Sequence, residues 1–192
     1  MLRSTLLVIL FAFSATAIAD DFSYSAITLS YGQTELDDLN IDGDSVGLGV
    51  NFEVGESFFV FGSYGVGELD DDFGNTADLD QWSAGIGHHY AMSESVDLVT
   101  QFSYEYVELS VPGVSIDDDG FGLGVGLRYA ASEKVELNGG LKYVDLNDSG
   151  DDTSFGAGAL YNFTDSFSMG LSGNWGDDAT SYTIGGRFYF GE

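Results

Sequence analysis

His88 and His89 are the only imidazoles in the sequence, so they decide whether histidine acid–base chemistry is on offer. A hydrolase or protease needs its histidine beside a serine or a carboxylate in the same site. Adjacent residues of an extended chain point to opposite faces, which splits this pair. Both also fall beside a tight turn, at the opposite end of their strand from the acidic clusters Asp70, Asp71, Asp72 and Asp117, Asp118, Asp119, and from Asp151 and Asp152. Enzymatic activity is therefore not expected. Clustered carboxylates with backbone carbonyls suit hard Ca²⁺ or Mg²⁺, and such ions would bridge Asp70, Asp71, Asp72, Asp117, Asp118 or Asp119 to lipopolysaccharide phosphates. The plainer reading is a solvated, self-repelling surface, and no metal ligand set or cofactor is assigned. Asp38, Asn40, Asp42 and Gly43 imitate the first half of an EF-hand loop, but the twelfth position is Gly49 rather than a bidentate glutamate. The glycine-rich runs lack the following helix that a phosphate loop requires.

The net charge is −27, with 32 acidic residues against five basic ones. Such a chain repels phosphate backbones, so nucleic acid is excluded as a partner. Disorder does not follow, because 44% of residues are hydrophobic, 15% are aromatic and there is one proline. The charge must be segregated from a structured part. Arg3, the apolar run Leu6 to Phe13 and the small-x-small site Ala17, Ile18, Ala19 read as a cleaved export signal over residues 1–19. That leaves 20–192 as one domain. No cysteine is available for a lipid anchor or a disulfide.

Four stretches repeat one pattern: Val46 to Glu56, Ala84 to Glu94, Leu123 to Glu133 and Ala157 to Asp165. Each alternates apolar with tiny residues, then reaches a polar residue and an aromatic: Phe52, Tyr90, Tyr129 and Phe163. An acidic turn follows, and a second alternating run returns, as in Phe58, Val60, Tyr64, Val66. Period two means strands with unlike faces, and each unit is a hairpin. One strand before them, around Phe22 to Tyr31, and one after, around Ser181 to Phe190, bring the count to ten, with eight as the alternative. The first strand leaves its inward face open between Tyr24, Ala26, Thr28 and Ser25, Ile27, Leu29.

A soluble sandwich also has period-two strands, but three features point to an all-β, closed, antiparallel up-and-down transmembrane barrel. Tight turns alternate with longer acidic connections. Aromatics gather at both strand ends, with Phe52, Tyr90, Tyr129, Phe163 and Phe188 by the turns and Tyr31, Tyr64, Trp82, Tyr104, Tyr143, Trp175 and Tyr182 by the acidic connections. Large apolar residues oppose glycine and small polar ones, so the large ones face lipid. An open edge in hydrocarbon would strand backbone groups, so the first and last strands should pair. Phe188, Tyr189, Phe190 near the end approach the aromatic terminus that such proteins present to the barrel assembly machinery. The expected surroundings are outer-membrane lipid and lipopolysaccharide, and the expected state is a monomer.

Aligning the repeats places Asn51, His89, Arg128, Asn162 and Arg187 on one inward ring, with Glu53 nearer the turns and Glu105 and Lys142 nearer the acidic end. The expected pairs are Arg128 and Arg187 with Glu53, and Lys142 with Glu105. These groups either plug the lumen, as small barrels usually do, or line a narrow solute path. The inward glycines Gly47, Gly49, Gly85, Gly87, Gly122, Gly124, Gly156 and Gly158 leave room for water.

Asp80, Gln81, Trp82, then Gly85, Ile86, Gly87, then Ser93, Ser95, Asp97, Leu98, Val99 and Tyr104, Glu105 resemble a porin-like family of small outer-membrane β-barrel proteins from gammaproteobacteria. The resemblance implies export, a barrel in the outer membrane, and no catalytic residues to carry over. Two functions are open: a structural or surface-interaction barrel displaying acidic loops, and a narrow cation-preferring porin. A lipid-modifying enzyme is the third and least supported.

Overall fold

Alternation of large apolar with glycine, serine and polar residues leaves only one way to satisfy both faces in a membrane, a closed sheet. The computed structural model describes residues 22–36, 41–177 and 179–190, and the expected export signal lies outside them. The strands are β1 (Ala26–Leu36), β2 (Ile41–Val54), β3 (Phe58–Asp71), β4 (Thr76–Ser93), β5 (Val96–Val111), β6 (Val114–Ser132), β7 (Val135–Leu146), β8 (Gly150–Thr164), β9 (Phe167–Trp175) and β10 (Ala179–Tyr189). Each pairs antiparallel with its neighbours in the chain, and β1 closes on β10 from Ala26↔Tyr189 to Leu36↔Ala179.

The repeat is visible in the short turns at one end. Ser93 and Ser132, equivalent positions of two units, accept hydrogen bonds from the backbone N–H of Ser95 (3.3 Å) and Lys134 (3.3 Å). Beside both, the ladder slips by one residue, the local irregularity that lets a strand bend into a tight turn. Ile27, Leu48, Val60, Ile86, Leu123, Leu141, Leu171 and Ile184 form the exposed apolar band. Aromatic girdles edge it. At the turn end Phe167 packs on Phe188 (4.8 Å) and Phe58 on the outward His88 (4.9 Å); at the far end Trp82 stacks near Tyr104 and Tyr106 (5.4 and 5.7 Å). Tyr24, just before β1, and Ala26 and Thr28 within it face inward, while Ile27 and Leu29 face out.

The connections beyond the second girdle are shorter than expected, because strands continue through them. β5 and β6 meet at Pro112–Gly113, where Gly113 takes the positive φ (+89°) that a side chain would resist. Asp70, Asp71, Asp117, Asp118, Asp119, Asp151 and Asp152 thus lie in strands, and only Asp72 is in a turn. Period two persists there with a different outer face: carboxylates replace the lipid-facing apolar groups. β3 to β6 stand highest, on the order of 15 Å above the girdle at about 3.4 Å per residue, whereas β9 and β10 turn back directly after Trp175.

Candidate functional site

Two apolar clusters lie inside the barrel, one toward each end. Near the turn end, Phe59 and Phe61 project inward from β3 and pack with Tyr24 and Val99, and Phe22 joins them from the segment before β1. Gly85 and Gly87 make room for these rings: a Cβ on Gly87 would overlap Phe59, and one on Gly85 would lie 2.6 Å from Phe61. The expectation that both glycines leave space for water is corrected, since aromatic side chains of the neighbouring strand fill it. At the far end Leu79, Val107, Val144 and Leu146 form a second apolar cluster, supported by Leu109.

Between and beside these clusters lie the polar groups. Arg128 (2% exposed) and Glu136 (1%) make a two-pronged ion pair, Nε to Oε1 and Nη2 to Oε2, both 3.1 Å. The guanidinium also lies 4.3 Å from the Phe22 ring and 4.6 Å from Tyr24. Lys142 Nζ meets the fully buried Glu105 at 2.8 Å, the pair expected, and Ser103 donates to the same carboxylate. Glu53 is not the arginines' partner. It stands partly exposed at the turn end, 3.9 Å from His89 Nε2, and forms no ion pair with either arginine among the described residues.

His89 stacks on Tyr24 (centroids 3.9 Å apart) with Nδ1 3.7 Å from Asp97, which also accepts the Tyr24 hydroxyl (2.8 Å). Arg187 Nε donates to Thr28 Oγ1 (3.1 Å), while Nη1 and Nη2 are buried without a hydrogen-bond partner. Asn51 and Asn162 are buried facing the lumen, and both amide atoms of Asn162 are likewise unpartnered. Glu136 and Asp97 escaped the sequence reading. The signal was parity: Glu136 is six residues before the inward Lys142, and Asp97 eight before the inward Glu105, so each shares its strand face.

Two polar cavities lie in the lumen at mid-height. The larger, about 170 Å³, is lined by Gln101, Asn138, Lys142, Ser154, Asn174 and a wall of glycines; the smaller, about 40 Å³, lies among Thr28, Ser30, Ser45, Asn51, Ser63 and Gln81.

The candidate metal residues have other tasks. The Asp71 carboxylate accepts the backbone N–H of Phe73 (2.9 Å) and Asn75 (2.8 Å) and the Asn75 side-chain amide (2.7 Å), and that amide holds it below the usual carboxylate range. Asp70 accepts the Thr76 hydroxyl, and Asp72 points to solvent. Asp118 accepts N–H groups of Asp148 (3.2 Å) and Ser149 (2.7 Å), tying the β7–β8 turn to β6; Asp119 accepts the Asn147 amide (3.2 Å). Asp117 is exposed on the outer face. Among the described residues no three His, Cys, Asp or Glu side chains converge in a way that would hold a metal ion.

The sequence profile of the outer membrane protein beta-barrel domain matches residues 4–163. No protein of curated function matches the chain. Among solved structures, the NanC porin superimposes with a TM-score of 0.58 at 9% identity, over 85% of this chain and 100% of that one. An outer membrane channel from Pseudomonas putida F1 gives 0.56 at 8% identity, over 95% and 100%. The beta domain of the Bordetella autotransporter Brka gives 0.50 at 13%, over 86% and 99%. Identities this low show a shared fold.

Proposed function

Because the chain belongs to the outer membrane protein beta-barrel domain family, it is a protein of the outer membrane, and we propose that there it is a closed barrel whose work is done at its outer rim. The observation that supports this reading is the pair of apolar clusters inside the lumen, one toward each end. An aromatic cluster with Phe59 and Phe61 lies at the turn end, where Phe22 and Tyr24 also cover the buried Arg128–Glu136 pair, and a Leu–Val cluster lies at the other. On this reading the two clusters act as stoppers that a water column passes only when side chains leave their packing, in the way small barrels are commonly filled. The rim supplies what the lumen withholds: a raised wall, acidic on its outer face, with girdle tyrosines donating to the carboxylates just above them. Tyr31 donates to Asp44 (2.8 Å) and Tyr64 to Asp80 (2.6 Å). Facing lipopolysaccharide phosphates, these carboxylates would draw Ca²⁺ or Mg²⁺ between the two anionic layers.

Single-channel recording of the refolded protein in planar bilayers tests the reading. Silence is expected. Steady cation-selective steps would overturn it in favour of a narrow pore, a second reading supported by the cavity of about 170 Å³ and its polar lining. The solved structures of similar fold include a porin and a channel.

A further inference from the structure

On β4 to β6 the inner face of the raised wall is apolar and uncovered above Asp118. On β4, β5 and β6 the ladder sets Leu79 opposite Leu109 and Leu109 opposite Ile116, and at the tip Val111 faces Val114. Leu79 and Leu109 belong to the Leu–Val cluster, but Val111, Val114 and Ile116 rise above it and are 43%, 56% and 53% exposed. They stand beyond the girdle, so lipid tails do not cover them.

Asp148 stands at the wall's edge, tied to Asp118 of β6, and the lower rim beyond it carries Asp152 and Asp177. On the wall's outer face Asp80 lies opposite Glu108, Glu108 opposite Asp117, Asp44 opposite Glu68, and Glu68 opposite Asp78. Like charges set directly opposite in a ladder are destabilising, so the rim gains from any cation that approaches. No basic residue answers them locally: Arg128, Lys134, Lys142 and Arg187 all lie in the lumen or at the turn end.

A space with one apolar wall and an otherwise anionic rim fits one kind of occupant. We infer that the mouth binds a cationic amphipathic peptide segment of a partner protein, its apolar side on Val111, Val114 and Ile116 and its basic side toward Asp148, Asp152 and Asp177. An anionic or polyphosphate ligand is repelled by the same rim. The inference rests on the closed-barrel reading, since an open lumen would make the mouth an entrance instead of a floor.

The full chain, refolded in zwitterionic detergent, is titrated into a short fluorescein-labelled peptide of alternating leucine and lysine and followed by anisotropy. Saturable binding that weakens with added salt is expected. Val111→Ser, Val114→Ser and Ile116→Ser together should weaken it by more than about tenfold, given what burying such side chains is worth. These side chains are exposed, so the variant should keep the heat-modifiable gel mobility of a folded barrel. Equal affinity of the variant and the parent would overturn the inference, as would equal binding of an all-lysine peptide. So would a concentration-dependent dimer that the same substitutions abolish, because the face would then belong to a second copy. Failure to bind beside a silent bilayer recording removes the peptide site and leaves the closed barrel standing.

Discussion

Arg128 shows what a single residue contributes here. Its guanidinium is desolvated, held on two prongs by Glu136 and roofed by the rings of Phe22 and Tyr24. Removing one member of a buried pair leaves the other charge uncompensated, so Arg128→Ala should cost on the order of 3 to 5 kcal/mol. Urea midpoints and heat-modified gel mobility measure it. A second variant, Arg128→Met with Glu136→Leu, should recover most of the loss, since replacing both charges by apolar groups is often neutral. An unchanged midpoint in Arg128→Ala would show that Glu136 is solvated from the larger cavity. The inward direction of Arg128 was legible because the repeat aligns it with Asn51 and His89. Its partner was not, because Glu136 sits beside a tight turn where acidic residues read as solvated caps. Only the parity with Lys142 places it inside.

At the scale of the element, strands were legible where apolar side chains alternate and were cut short where carboxylates begin. β9 was read to its ends, Phe167 to Trp175, because its turns are abrupt. β6 begins at Val114, well before the expected Leu123, since Asp117 and Asp119 hold the outward positions that apolar residues hold lower down. An acidic run looks like a loop to any reading that equates charge with irregularity; here Ile116, Asp118 and Gly120 keep the inward register. The extended strand is fastened by Asp118. Burial alone would raise its carboxyl, but hydrogen bonds from Ser149, Asp148 and Asp119 prevail and hold it below the ordinary range. A lowered folded-state pKa means that the anchor is fully present above the ordinary carboxylate value of about 3.9 and fails as pH falls through the lower folded value. Hydrogen exchange corrected for intrinsic rates should therefore find the Asp148 and Ser149 amides protected near neutrality and released in that acid window. In Asp118→Ala they should be unprotected throughout. Equal protection in both proteins would mean that the turn holds itself.

For the whole molecule, closure, strand number and the two girdles followed from periodicity and from the cost of an unpaired edge in lipid. The state of the lumen did not, because filling depends on which large side chains break the outward rule, and Phe59 and Phe61 do so between outward Phe58 and Val60. Alternation within a run of aromatics hides its own phase. Phe59→Ala with Phe61→Ala should thin the layer at the turn end while the Leu–Val layer remains. Conductance is then expected only when Val107→Ala and Leu146→Ala are added, with bilayer recordings of both variants as the check. Channel events from the first variant alone would show that the outer layer does not seal.

The hydrogen bond from Tyr24 to Asp97 joins residues 73 positions apart across the lumen. It cannot exist in a flat sheet, because β5 stands four strands from β1 in the ladder and only the curl of β1 to β5 carries Tyr24 over to it. The barrel therefore curls around its own stopper. The tyrosine ring should reach its final environment only when those strands have bent into a half-circle, which makes Tyr24 a built-in gauge of the sheet's curvature during folding.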